Sequence, residues 1–437
     1  MIPTRPLRTS RPVRFRLLRR LVLAASLLVA LCFLASFALT VWKASVDRQL
    51  DATWRRSLGG ASFLERYPAT QDNATVLDLE TLGAAMGIDM APAETPGRVH
   101  PTPEAAKRFE EIRKSLTDFF NASKISTGEP LAPLPPELAA FLESIRPTLN
   151  AIRVRLAQGP APVWARNLKA GFDSRIPNVL GILTLQKLLL LDAREQLRAG
   201  REAQALEILE TSWRLNQALV DNNPILVIQL IAQGVIRVQQ PILRSFSRAP
   251  AAWPERLRDL DQQSRILRAM RAEAFSAHLT STFDRPIKEA TLGSKPQAFA
   301  RWMIWDYARR FSAILDELPQ YDVRSFNPKA FDREQQAKIP RWQVLARTLL
   351  PNFWDAWPRS AHVELEAELT ALVLAERERL AAGGPPRMTD RRPSRVKGLS
   401  WIYEDSPEGT TIHIDGELRS KEEKPVPLRF TVRRVGL

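Results

Sequence analysis

The stretch LVLAASLLVALCFLASFALTVWKASVDRQLDATWRRSL, residues 21–58, decides how the chain is built. Its first 22 residues, Leu21 to Trp42, carry no charge. As a helix rising about 1.5 Å per residue they cover roughly 33 Å, enough to cross a hydrocarbon core of about 30 Å. The apolar run of a cleaved export signal is shorter, about 7–15 residues. Ser36-Phe37-Ala38 supplies small residues, so a cut after Ala38 stays open as a second reading. Leu39, Thr40, Val41 and Trp42 continue the apolar run past that point and favour a retained span. Beyond Lys43, Val46, Leu50, Trp54 and Leu58 recur every four residues. That spacing predicts a helix that leaves the bilayer with one apolar face and stops at Gly59-Gly60.

Charge orients the span. Arg5, Arg8, Arg11, Arg14, Arg16, Arg19 and Arg20 precede it, and no acid occurs before Asp47. By the positive-inside rule residues 1–20 form a basic cytoplasmic tail and the rest is translocated. Trp42 and Lys43 suit the far interface, where an aromatic ring and a long amine meet headgroups. A composition rich in Arg, Ala, Leu and Pro points to a bacterium, hence to an inner-membrane protein with a periplasmic body. The lipid bilayer is therefore the first expected partner, through Leu21 to Trp42. The net charge of +15 falls to a mild excess once the tail is set aside, 56 basic against 48 acidic residues. That is no nucleic-acid footprint, and no nucleic-acid partner is expected. Cys32, the single cysteine, lies inside the span, so no intrachain disulfide exists and packing must hold the body together.

Residues 43–101 read as a juxtamembrane helical segment. In DNATVLDLETLGAAMG, residues 72–87, Asp72 or Asn73 caps a helix, Val76, Leu79, Leu82 and Met86 form its apolar stripe, and Gly87 stops it. The wider segment RYPATQDNATVLDLETLGAAMGIDMAP, residues 66–92, resembles one found just outside the anchor in uncharacterised bacterial single-pass membrane proteins. The resemblance covers under a tenth of the chain. It implies a place beside a membrane and brings no activity with it.

Residues 102–384 read as an α-helical domain. Thr102-Pro103 opens a helix with Phe109, Ile112, Leu116, Phe119 and Phe120 on one face, and a helix from about Leu138 to Ala157 is kinked or divided at Pro147. The block LLLLDAREQLRAGREAQALEILETSWRL, residues 188–215, resembles one tetratricopeptide-type hairpin, with Gly200 at the turn and small Ala193, Ala203 and Ala205. It lacks the aromatic and proline positions of that repeat, and no second copy follows at a spacing of about 34 residues. It is better read as one hairpin in a larger bundle. Ile225 to Ile231 is apolar nearly all round and reads as a buried central helix. Trp253-Pro254 is expected to open a single long helix through Leu257, Leu260, Leu267 and Met270. An aromatic helix follows from about Gln297 to Leu318. Its Phe299, Trp302 and Phe311 are expected in the core, in preference to a return to the membrane with Arg301, Arg309 and Arg310 at headgroups. A last helix is expected to be capped by Ser360 and to end at Gly383-Gly384.

Residues 385–398 form a basic linker, and in residues 399–437 the period changes to two. Leu399, Trp401 and Tyr403, then Ile412 and Ile414, then Leu428, Phe430 and Val432 predict a three-stranded antiparallel meander that must pack on the last helix. The fold class is thus mainly α: an N-terminal transmembrane helix, an irregular helical bundle and a small C-terminal antiparallel β-meander.

The chain contains no GxSxG, P-loop, GxGxxG, HExxH or CxxC, so no catalytic, cofactor-binding or metal-binding residues are assigned and no cofactor is expected. His100, His278, His362 and His413 stand in different elements. His362 and Glu366 are four apart, as any solvated helix face would place them. A tethered, helix-hairpin body with no catalytic constellation fits a non-enzymatic scaffold or binding protein with a protein partner in the bacterial envelope. Its expected binding surface is a groove along the hairpin Leu188 to Leu219, left by small alanines and rimmed by exposed Arg194, Arg198 and Arg201 for acidic partner segments. The alternative is an envelope hydrolase whose site gathers His278 or His362 beside two carboxylates.

Overall fold

A computed structural model of the protein describes residues 12–58, 63–92, 96–123, 131–221, 223–279, 294–341, 343, 347, 353–385, 390–416 and 428–433. One helix, α1 (Pro12–Ser57), runs unbroken through the apolar span and into the body. It is long and apolar enough to cross a membrane. From Leu23 to Ala38 every side chain of α1 is exposed, whereas Val46, Leu50, Trp54 and the following Leu58 are buried. The four-residue stripe is the seam between span and body. Gly59-Gly60, the expected stop, lies outside the described residues, and the helix ends at Ser57.

After α2 (Phe63–Arg66), Thr70 and Arg166 exchange backbone hydrogen bonds of 2.9 and 3.1 Å, tying the juxtamembrane chain to the later loop. Asn73 caps α3 (Ala74–Ala85), its Oδ1 accepting from the Val76 amide at 3.2 Å. Gly87 ends α3 with φ +88°; its amide donates to the Ala84 carbonyl, and that of Ile88 to Gly83. A β-carbon at Gly87 would lie 2.2 Å from the Ala105 carbonyl oxygen, so only glycine fits. Arg98 bridges Asp72 at 2.7 Å and Glu80, clamping this segment shut.

Helices α4 (Pro103–Ser123), α5 (Pro136–Gln158), α6 (Val179–Arg198), α7 (Glu202–Val220) and α8 (Leu226–Leu243) build the main core. α5 is a single element through Pro147. Between α6 and α7 Gly200 takes φ +76°. Its amide donates to the Leu197 carbonyl at 2.9 Å and the Arg201 amide to Gln196 at 2.8 Å, a Schellman turn that makes the hairpin. α8 is 72% buried over its most apolar window, the central helix that Ile225 to Ile231 announced.

The single helix expected from Trp253 is two, α9 (Trp253–Arg258) and α10 (Gln262–Leu279). Three groups hold the break. Asp261 Oδ1 accepts from the Ser264 amide at 3.1 Å as an N-cap. Arg395 donates to the carbonyls of Leu257, Arg258 and Leu260 at the end of α9. The carboxylate of Glu364 receives the Gln263 amide at 2.7 Å.

α11 (Ser294–Glu317) lies along α1, followed by α12 (Pro328–Ala337). With α10 and Trp354 they enclose Leu50 and Trp54 in a second core. Tyr307 and Phe311 of α11 are buried there, Trp302 and Trp305 half-buried, and the Phe299 side chain lies outside the described residues. α13 (Ala356–Ala381) begins a turn before the expected cap: Ser360 is inside it, its hydroxyl bonded back to the Trp357 carbonyl at 2.7 Å.

The sheet has four strands, not three. β1 (Asp390–Pro393) comes from the expected linker and pairs antiparallel with β2 (Ser400–Ser406), then β3 (Gly409–Ile414) and β4 (Arg429–Arg433) follow in order. Trp401, Tyr403, Ile412, Phe430 and Val432 pack on Ala361, Leu365, Leu369 and Val373 of α13, a third core. β1 escapes a periodicity reading because edge pairing is made by backbone. Its Arg391, Arg392 and Pro393 suit an unpaired outer edge.

Candidate functional site

The sequence HVELEAELTALVLAERERL, residues 362–380 of α13, alternates acids with aliphatic residues. It looks like a helix with a wet face. Instead, Glu364, Glu366 and Glu376 are buried and Glu368 is half-buried, and each serves a different neighbour. Glu368 takes Arg395 at 2.8 Å and the Trp401 indole N–H at 2.8 Å, docking the strand module. Glu376 pairs with Arg379 and accepts from the Thr410 hydroxyl of β3 at 2.9 Å.

Glu366 is the centre of the column. His362 Nε2 lies 3.1 Å from its Oε1, and Arg237 Nε of α8 lies 3.4 Å from its Oε2. One turn along, Arg244 donates to the Thr370 hydroxyl at 2.9 Å, and Thr370 donates to the Glu366 carbonyl at 2.8 Å. Burial pushes the Arg244 guanidinium down to about 10. Burial works against the charge on Glu366, but the His362 hydrogen bond and charge and the nearby Arg237 and Arg244 outweigh it, holding its carboxyl below the usual range. The solvated pair expected for His362 and Glu366 is thus corrected. α8 brings Arg237, and its C-cap Arg244, against α13, and a buried guanidinium needs a counter-charge. The Phe430 ring lies 6.0 Å from the Arg244 guanidinium and 5.6 Å from that of Arg377, linking the column to the sheet.

Among the described residues the histidines do not converge. His100 faces Asp89 at 3.2 Å and His413 faces Glu404 at 3.3 Å, each apart from His362, while the His278 side chain lies outside the described residues. No group of three His, Cys, Asp or Glu among the described residues could hold a metal ion.

Burial pushes the Glu364 carboxyl up to about 7, partly opposed by the Gln263 amide and Arg395 and reinforced by Asp261. Between its ordinary value of 4.5 and about 7 the folded state keeps a proton that the unfolded chain has released, so stability falls as pH rises through this window. Glu364→Gln keeps an acceptor for Gln263 without the charge. Thermal unfolding at pH 8 is expected to move up by about 2–4 °C, with a flatter dependence between pH 5 and 8. A variant with the wild-type pH profile would place the responsible group elsewhere.

Of the three arginines expected to rim the hairpin, Arg198 and Arg201 are exposed and Arg194 is not. Arg194 is buried, its guanidinium 4.7 Å from the Phe119 ring centroid and bonded to the Ala132 carbonyl at 3.1 Å. Its long stem covers α4, and the turn before α5 takes its charge; burial pushes its pKa down. Arg198 is exposed and paired with Glu195 at 2.9 Å. Arg201 donates to Gln196 at 2.6 Å, and Gln196 in turn to buried Asp192 at 3.0 Å, closing the hairpin turn. Ala193 and Ala205 are fully buried between helices; Ala203 alone of the three is exposed.

An open cleft of ≈ 100 Å³ lies at the α7–α8 turn, lined by Tyr67, Asp221, Asn223, Gln229, Arg265 and Arg268 among others. Gln229 fixes the turn, donating to the Val220 carbonyl at 3.2 Å and the Asn223 carbonyl at 2.7 Å. Arg265 stands 3.8 Å from Asp221, a loose pair, and burial pushes the Asp221 carboxyl up against that attraction. Two guanidinium groups and a carboxylate in one cleft suit a charged or hydrogen-bonding ligand group. The sequence signal for it was Gln229, a polar residue inside an otherwise apolar run, beside the Asp-Asn-Asn-Pro turn.

No protein-family model, curated protein or solved structure matches the chain.

Proposed function

We propose that the protein is a single-pass, membrane-anchored scaffold or binding protein of the bacterial envelope, holding its body in the periplasm for a protein partner. The observation that carries this reading is α1: one helix is both the apolar span and, through Leu50 and Trp54, part of the body's core. Such a body is mounted, not tethered. The seven arginines before Leu21 support the orientation. The partner surface that fits best is the cleft at Asp221, Arg265 and Arg268, whose charges suit an acidic or amide-bearing segment. A hydrolase would draw on His362 and Glu366. Those side chains are only 14% and 7% exposed, and Arg237 holds the carboxylate in an ion pair, an arrangement better suited to packing than to substrate.

Protease added to spheroplasts is expected to digest the body and leave a small anchored stub. Co-purification from detergent-solubilised native membranes tests the cleft. Arg265→Glu with Arg268→Glu is expected to lose a partner that the wild type retains, with an unchanged unfolding midpoint. Full retention of every partner by the folded double variant would reject the cleft, and a body protected in spheroplasts would reject the orientation.

A further inference from the structure

α11 runs parallel to α1, and two contacts give the register. Arg301 Nε lies 3.8 Å from Asp47 Oδ1, and the Ser312 hydroxyl lies 3.1 Å from that of Ser57. Both helices climb about 1.5 Å per residue, so the helical residues before Arg301 descend beside α1 by about 10 Å to Ser294, level with Thr40. Burial along α1 agrees independently. Its side chains are exposed from Leu23 to Ala38, and cover begins at Leu39 and Lys43, the same face as Val46 and Leu50. Thr40 and Lys43 bracket the end of the uncharged run. The start of α11 therefore sits where hydrocarbon gives way to headgroups if α1 spans the bilayer. Its sequence there, SKPQAFARW (residues 294–302), is basic and aromatic with no acid, the composition that favours a membrane interface.

We propose that the first two turns of α11 make a second, peripheral contact with the bilayer at the depth of phospholipid headgroups, on the side that carries the body. This rests on the reading of α1 as a retained span. The core aromatics Tyr307 and Phe311 and the membrane-facing start are then successive parts of one helix, a strut seated on the bilayer at one end and in the body at the other.

Depth measurement tests it on the full-length protein. Cys32→Ser removes the only cysteine. Nitroxide labels are then placed singly at Thr40, Lys295 and Arg309 in protein reconstituted in phosphatidylethanolamine–phosphatidylglycerol vesicles. Power saturation with oxygen and a water-soluble nickel chelate gives each depth. The label at 295 is expected within about 5–10 Å of the headgroup–acyl boundary, close to the one at 40, and the label at 309 in water. A label at Gln297 gives an independent reading should position 295 disturb the helix. Labels at 295 and 297 as open to the chelate as that at 309, with position 40 in the bilayer, would overturn the strut and leave the span intact. A label at 40 that is itself in water would overturn both.

Discussion

Trp54→Ala is expected to destabilise the body by about 3–5 kcal/mol, the range for removing a buried aromatic side chain. Trp54 is buried where α1 enters the second core, its ring edge-on to Phe275 at 5.2 Å between centroids. Phe63, in turn, meets Phe275 at 5.3 Å. Removing the indole opens a hole at the point where α1 meets the second core. The measurement is the unfolding midpoint of the detergent-solubilised protein, with limited trypsin digestion beside it. Arg48, Arg55 and Arg56 lie on this part of α1. In the wild type the continuous helix is expected to resist cleavage there, and in the variant these sites are expected to be cut first. An unchanged midpoint and the same fragments would mean that this part of α1 is not part of the core.

Glu366→Ala is expected to cost a similar amount, about 3–5 kcal/mol, because it leaves buried Arg244 and partly buried Arg237 without their counter-charge. Arg237 and His362 lose a direct contact, and Arg244 loses a nearby negative charge. Acid should show the same linkage. The Glu366 carboxyl is held below its ordinary value of 4.5 in the fold. Its contribution is present above that value and lost as pH falls through the lower folded value. The difference in unfolding midpoint between wild type and Glu366→Gln is therefore expected to shrink as pH falls from 5 towards 3. A difference that stays constant down to pH 3 would show that the carboxylate charge is not what matters.

Much of this architecture was legible where local rules decide. Asn73 is a cap, Gly87 and Gly200 are stops that demand a left-handed backbone, and Val46, Leu50 and Trp54 recur at the helical period. Each of these needs only its own neighbours in sequence. What was not legible depended on distant chain. Arg194 reads as solvated until Phe119 and Ala132, far before it, come to lie against it. Glu366 reads as a wet face until α8 brings Arg237 across it. The break at residues 259–261 is held partly by Arg395, more than a hundred residues on. β1 has no alternating pattern because its pairing is made by backbone alone. The candidate cleft was the least visible, since it forms where a turn, the start of one helix and the flank of another meet.

The unbroken path of α1 also fixes how the cleft would meet anything. A domain on a flexible tether sweeps a volume, and its local concentration near a target falls as the tether lengthens. Here the helical rise from Trp42 to Trp54 is about 18 Å, and Trp54 meets Phe275 of α10, the helix that also carries Arg265 and Arg268 of the cleft, so the cleft is held at one height above the end of the span. On the anchored reading its search is two-dimensional, by lateral diffusion at a single height. Partners whose own binding segment sits in that thin layer would meet it often, and those held higher or lower would not meet it at all, whatever their affinity in free solution.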